Sequence, residues 1–372
     1  MTAETFSAPL AGTAVSGKRS DAADQERQAT TSGVKSGASR TGTARLGTRG
    51  AGTAVRATSW RAERGVHAPA GPAAVLMVRP HRFRVNPETA ADNAFQRSVV
   101  DDESLAAGAY QESTRLAEKL TEAGVAVVLI EDELGLSPDS VFPNNWFTTH
   151  PDGRIVLCPM FAPNRRQERR DDVVTQLRAR FQVSEVLDLS AAEQRGEFLE
   201  GTGSVVIDHE RGLAYACRSN RLSPGLFRQY CRLLGLKPVQ FDAVDRRGTP
   251  VFHTNIMLSV GPNVVLIGAE MIRERSQRDW LLGSLRDSGR TVVELTEEQV
   301  TRFAGNALEL SGAEGPLLAM SATALAALRP DQVEAISGTT RILTADVSTI
   351  EASGGSVRCM LAGIHLPPRL DY

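Results

Sequence analysis

Regular alternation between apolar and polar stretches starts only near residue 74. There Ala74-Val-Leu-Met-Val-Arg79 forms a short apolar run stopped by Pro80, the signature of a buried strand. A polar loop with Asn86-Pro87 and several acid and amide residues leads to Phe95, a composition suited to turns and caps. Residues 105–123 are amphipathic with a helical period, Leu116 and Leu120 standing four apart, and Gly124 closes the segment. Val125-Ala-Val-Val-Leu-Ile130 is then a β-branched run of buried-strand length.

From there a unit repeats as strand, turn, apolar strand and helix. Residues 142–147 turn at Pro151-Asp-Gly153 into 155–159, with a helix near 165–181. Residues 198–207 turn at 210–212 into 213–217, with a helix near 224–235. Residues 251–258 turn at 261–263 into 264–267, with a helix near 272–288, and residues 303–310 turn near Gly312 into 317–320, with a helix near 322–328. A single strand over 356–365 is left over, as is the one at Ala74, so the two ends of the domain are expected to close one unit between them. Four complete units plus the shared one make five ββα-type modules. A period of roughly 50 residues is how radial arrays announce themselves, and they gather equivalent strand ends around one axis. Asn144 and Asn145, Glu200, His253 and Asn255, Gly305 and Asn306, and Cys359 occupy corresponding points of their modules and are expected to face one central space.

That placement changes how single residues read. Alone, Cys359 in Ser353-Gly-Gly-Ser-Val-Arg-Cys359 reads as a buried thiol, His253 as a core histidine and Glu200 as a surface acid. Together they supply a nucleophile, a general acid/base and an orienting carboxylate. On a strand, His253 and Asn255 would point to one face. No metal is expected: His150, His209 and His365 lack ligand spacing, and neither H-E-x-x-H nor C-x-x-C occurs. No cofactor is expected either. Gly201-Thr-Gly-Ser204 reads as continuing into a strand, which leaves no helix N-terminus for a phosphate.

Composition narrows the class. The 372 residues are 41% hydrophobic and 23% charged with a net charge of −2, which gives no electrostatic case for nucleic acid or a membrane surface. No apolar run approaches the ~20 residues of a membrane helix. Four cysteines are too sparse for a disulfide scaffold, so a cytoplasmic location is expected. Residues 1–70 differ: rich in Ala, Gly, Ser, Thr and Arg, without periodicity, and with ten basic against five acidic residues, they read as a disordered extension. No apolar h-region follows Met1, and Asp21, Asp24 and Glu26 argue against a transit peptide. The catalytic domain is expected over 74–372.

Several stretches carry a resemblance. Met77-Val-Arg-Pro with Asn86-Pro-Glu-Thr-Ala, Val141-Phe-Pro-Asn-Asn-Trp-Phe, Leu199-Glu-Gly-Thr-Gly-Ser, Phe252-His-Thr-Asn and Gly354-Gly-Ser-Val-Arg-Cys resemble the guanidine-modifying, or pentein, superfamily, and within it the bacterial citrulline-utilisation hydrolases. The resemblance covers residue 74 to the end. It implies a five-bladed α/β propeller with Cys359 as nucleophile, His253 as general acid/base, Glu200 as the acid, and Arg221 on the substrate's α-carboxylate. Arginine deiminases of this superfamily clamp a guanidinium with two aspartates, where this chain resembles them except for Asn145 and Asn255. An amide suits a neutral group better than a cation. The implied activity is therefore hydrolysis of citrulline through an S-carbamoyl cysteine, with Asn144, Asn145 and Asn255 binding the substrate. Arginine deiminase, dimethylarginine hydrolase and amidinotransferase chemistry remain as alternatives on the same triad, and a non-catalytic binding module as one of a different class. The expected partner is a small amino-acid substrate, with a homodimer left open.

Overall fold

A computed structural model describes residues 71–90, 93, 95–96 and 102–369. The chain divides into a unit of residues 1–63 and one of 64–372; the extension expected over 1–70 lies outside the described residues.

The apolar run β1 (Ala74–Pro80) is buried along nearly its whole length, as a strand covered on both faces must be. The helix Asp102–Glu122 crosses over it, and Gly124, at φ +84°, turns the chain into β2 (Ala126–Asp132), parallel to β1. The next sheet comprises β3 (Phe147–Thr149), β4 (Arg154–Leu157) and β5 (Glu185–Asp188), and a third comprises β6 (Val206–Asp208), β7 (Leu213–Cys217) and β8 (Lys237–Phe241). A fourth holds β9 (Leu258–Val260), β10 (Val264–Ile267) and β11 (Thr291–Glu294), and a fifth β12 (Leu308–Gly312), β13 (Gly315–Ser321) and β14 (Arg341–Ala345). The last strand, β15 (Ala362–Ile364), returns to pair antiparallel with β1. The two ends of the domain thus complete one sheet, as the sequence implies.

All five sheets have one plan. The central strand pairs antiparallel with one neighbour and parallel with the strand that follows it, for example β10 with β9 and with β11; the antiparallel neighbour is the preceding strand in four sheets and the final strand β15 in the fifth. The expected ββα module is therefore corrected to ββαβ, a small mixed sheet with a helical crossover. Helix Pro224–Leu234 is one such crossover, with Pro at its first turn and Gly235 in the left-handed conformation at its end. The helix expected over 165–181 is divided between Pro163–Glu168 and Asp171–Arg180, and Pro330–Ser337 adds one that the periodicity did not show.

The core runs between the sheets as well as within them. Val75 and Met77 of β1 pack in one cluster with Leu317 and Ala319 of β13 and with Val357 and Cys359. Another cluster carries Tyr215 of β7, Leu266 of β10 and Met320 of β13. This packing holds fixed the short segments that enter the first strand of each sheet, where the polar residues lie.

Candidate active site

Each of those segments makes one helical turn just before its strand. Pro143–Asn145 precedes β3, Gly201–Ser204 precedes β6, Thr254–Met257 precedes β9 and Val357–Met360 precedes β15, while residues 302–305 form a turn before β12. Local bonds such as Ser204 N–H to Glu200 O at 2.9 Å and Cys359 N–H to Ser356 O at 2.9 Å satisfy the backbone within the turn. Buried side chains then need partners only for themselves. The strand placement expected for these residues is corrected accordingly. Glu200 and His253 stand immediately before their turns, Asn255 and Cys359 lie within theirs, and His253 and Asn255 share no strand face. Likewise Gly201–Ser204 is a four-residue helix and not part of a strand.

Glycines make room. A Cβ on Gly203 would come within 3.0 Å of His253 Cε1 and collide with the Asn145 amide. Gly354 lies at φ +84° and packs against Asn93, so a side chain there would be both strained and in collision.

Glu200 is fully buried and forms the hub of the site. Its Oε2 lies 2.7 Å from His253 Nε2 and accepts from Arg221 Nη1 at 3.2 Å, while Oε1 accepts the Phe161 N–H at 2.9 Å. Arg165 Nη1 stands 4.0 Å away. Burial alone would raise the Glu200 carboxyl, but the Arg221 charge, the His253 bond and the Arg165 charge outweigh it and hold it far below the usual carboxylate range. Burial lowers His253, and Glu200 opposes that drop, so a neutral imidazole is poised beside an anion that will favour its protonated form. With Nε2 on Glu200, Nδ1 is the ring nitrogen left for chemistry.

Two amides meet the Cys359 sulfur. Asn306 Nδ2 donates at 3.2 Å and Asn255 Nδ2 at 3.6 Å, and Asn306 also bonds the Asn255 carbonyl at 3.1 Å. Asn255 Oδ1 is buried without a partner. Cys359 and His253 both line one narrow pocket, together with Arg165, Arg221, Asp139 and Phe252.

The remaining expected site residues are placed differently. Asn145 lines the pocket, but in the amide orientation its neighbours dictate its oxygen accepts from Arg165 at 2.9 and 3.1 Å and its nitrogen donates to Asn144 Oδ1 at 3.1 Å. Asn144 is buried behind it, outside the pocket lining, with Nδ2 unpartnered. Arg221 lies between the rings of Phe161 and Phe252, 5.7 and 5.1 Å from their centroids, and part of its donor capacity is taken by Glu200.

The sequence model of the N,N dimethylarginine dimethylhydrolase family, in its eukaryotic form, matches residues 79–366. The chain belongs to this family. With it comes membership of the guanidine-modifying, or pentein, superfamily. No curated protein matches the chain significantly. Among solved structures, the N-terminal domain of ArgZ, an arginine dihydrolase from the ornithine-ammonia cycle in Cyanobacteria, superposes with a TM-score of 0.61 at 16% identity, over 79% of this chain and 98% of that one. AgrE, solved with ornithine and NAD+, gives 0.62 at 17% identity over 80% of this chain and 40% of that one. A dimethylarginine dimethylaminohydrolase bearing a 4-chloro-2-hydroxymethylpyridine adduct gives 0.54 at 18% identity, over 77% and 98%. At such identities the three share a fold with this chain.

In this dimethylarginine dimethylhydrolase family member, the site also contains groups the sequence reading passed over. Arg165 grips Glu168 through two bonds of 2.8 Å and lies 3.6 Å from Asp139, which accepts from Asn86 at 2.7 Å. The Arg165-x-x-Glu168 spacing was the available signal, since residues three apart meet on a helical turn. Asp139 had none, sitting in a loop whose partners are 26 to 53 residues distant. His150, His209 and His365 do come together, with ring centroids 5.7 Å (His150–His209) and 4.1 Å (His209–His365) apart. Among the described residues no group of His, Cys, Asp and Glu side chains is arranged to hold a metal, and no helix is long and apolar enough to cross a membrane.

Proposed function

We propose that the protein hydrolyses the ureido group of citrulline to ornithine, ammonia and carbon dioxide. The observation that carries this reading is the setting of Cys359. Two neutral amides meet its sulfur, and one of them, Asn255, keeps a buried oxygen with no partner. Asn255 lies behind Cys359, just outside the pocket lining, and a ureido N–H drawn up to the sulfur would satisfy that acceptor, whereas a guanidinium would find no carboxylate bonded there.

Cys359 Sγ attacks the ureido carbon and passes its proton to His253. The imidazolium, stabilised by Glu200, protonates the departing ornithine nitrogen as the C–N bond breaks, leaving an S-carbamoyl enzyme. Water, deprotonated by neutral His253, then attacks the thiocarbamate carbon; the C–S bond breaks, the Cys359 sulfur regains its proton from His253, and the released carbamate decomposes to ammonia and carbon dioxide. Arg221 and the Arg165–Asp139 pair supply both signs of charge in the pocket for the α-amino and α-carboxylate groups of an amino acid. We also take the five sheets to close as a five-bladed ring, a reading supported by the clusters that join neighbouring sheets.

A second reading, hydrolysis of a guanidino group, draws support from the Asp139 carboxylate on the pocket wall and from the arginine and dimethylarginine enzymes to which the chain is similar. Incubation with citrulline, arginine and dimethylarginine, followed by amino-acid and ammonia analysis, separates the two. Equal amounts of ornithine and ammonia from citrulline are expected. Unchanged citrulline alongside turnover of arginine or dimethylarginine would sink the ureido reading.

A further inference from the structure

Three arginines are buried among the described residues, and two of them have carboxylate partners. Arg165 forks onto Glu168 and Arg221 reaches Glu200. Arg358 is the exception. Only 9% exposed, it donates Nη1 to the Leu361 carbonyl at 3.1 Å, and no carboxylate among the described residues pairs with it. A buried cation without an anion is costly, and folds retain one mainly where something compensates it. The next residue on the same helical turn, Val357–Met360, is Cys359.

We propose that Arg358 is the counter-charge of the Cys359 thiolate, a positioning residue that favours the ionised nucleophile over the neutral thiol. The inference rests on Cys359 being the nucleophile, but not on which carbon it attacks. Electrostatics around the sulfur support it. On the pocket side Glu200 is paired with Arg221, and Arg165 is shared by Glu168 and Asp139. Asn255 and Asn306 bring hydrogen bonds without charge. His365, which also feels the Arg358 charge, is kept neutral by burial and by the positive charges of its neighbours, so it supplies no anion. Arg358 is thus the buried arginine with no carboxylate in contact among the described residues, and an anion beside it is created when the Cys359 S–H bond breaks and the proton moves to His253. Burial pushes the Arg358 guanidinium down to about 10, and interaction with Cys359 opposes that fall.

The test needs no substrate. Iodoacetamide labelling of Cys359 in the full chain, located by mass spectrometry, is timed at pH 7 and pH 10 for the parent, Arg358→Lys, Arg358→Met and Arg358→Gln. Gln keeps a donor for the Leu361 carbonyl without the charge, so it carries the test should Met prevent folding. Loss of the charge is expected to slow labelling about tenfold at pH 7, with rates converging at pH 10, while Lys stays within about threefold of the parent. Equal rates at pH 7, or the same slowing at both pH values, would overturn the proposal in favour of a purely structural arginine. A parent whose Cys359 is not labelled at pH 7 would overturn both this inference and the nucleophile assignment. Arg358-dependent labelling in a protein that leaves citrulline untouched would leave the inference standing and remove only the substrate.

Discussion

The two ends of the same short strands solve opposite electrostatic problems. Entering β3, β6, β9 and β15 are Asn145, Glu200, His253 and Cys359, and following β3, β6 and β15 are His150, His209 and His365. Three strand residues separate the two groups, about 10 Å of extended chain. At the entry end buried charge is kept by pairing it, Glu200 with Arg221, Arg165 and His253. At the exit end the imidazoles avoid it: burial and neighbouring charges push His150 and His365 well below the usual histidine range, and burial, against the opposing Asp208 and Asp152, takes His209 down to about 4. His150 is held instead by neutral bonds, to Thr148 at 2.9 Å and Tyr230 at 3.4 Å. A group that must change its charge during a reaction needs the first arrangement, and a group whose role is to fill space needs the second.

The sharpest way to break this contrast is to remove the nucleophile. Cys359→Ser should abolish turnover by a thousandfold or more, since a serine without a matched base is a poor substitute. Cys158, equally buried but with its thiol pushed up to about 12 by its apolar surroundings, serves as the control, and Cys158→Ser should retain activity. Equal activity in the two variants would remove Cys359 from the mechanism. Next in size is Glu200→Gln, which keeps the shape of the hub and takes its charge. A loss of roughly a hundredfold in kcat is expected, because the His253 imidazolium loses its stabilising anion. A change confined to KM would assign Glu200 to substrate binding alone.

Asn306 makes a smaller test. Its amide donates to the Cys359 sulfur and to the Asn255 carbonyl, so Asn306→Ala removes one bond to the nucleophile and loosens another residue beside it. About tenfold in kcat is the expected cost, the worth of ~1–1.5 kcal/mol. Asn144→Ala should lose less, since Asn144 bonds Asn145 and makes no bond to the Cys359 sulfur. The reverse order, measured as kcat on citrulline, would mean that the pocket is bounded differently.

How legible this was depends on the element. Central strands such as Val264–Ile267 are wholly buried and so read as apolar runs. The third strands did not, because Glu185–Asp188 and Thr291–Glu294 are largely half-buried or exposed and mix polar with apolar residues. The first strands were drawn too early, over the turns that precede them: residues 142–147 and 251–258 each share one residue with the strands Phe147–Thr149 and Leu258–Val260. Buried polar residues inside an apolar run look like one face of a strand, and only the backbone bonds at Ser204 and Cys359 show a helical turn in their place. The gathering of Glu200, His253 and Cys359 was legible through the repeat, which aligns residues that local pattern cannot connect. The same alignment would have found the histidines. Thr149-His150, Asp208-His209 and Ile364-His365 each hold the position just after a first strand, but ligand spacing along the sequence is the wrong ruler for residues brought together by module register.

That cluster supplies the smallest effect and the cleanest sign. His209 has its folded-state value lowered to about 4 by burial, partly offset by Asp208 and Asp152, against about 6.5 when unfolded. The unfolded chain therefore binds a proton more readily than the folded one between those values. The stability this group contributes is complete above about pH 6.5 and is lost as pH falls towards 4. His209→Gln removes that proton from the balance. The difference in unfolding free energy between pH 7 and pH 4.5, from urea titrations, should shrink by about 2 kcal/mol, less than the full shift implies because His209 is only partly buried. Activity at pH 7 should be untouched, because the imidazole is already neutral there and lies at the far end of its strand from Glu200. An unchanged pH slope would mean that His209 titrates alike in both states, and that the exit end excludes charge less strictly than the packing of its three rings indicates.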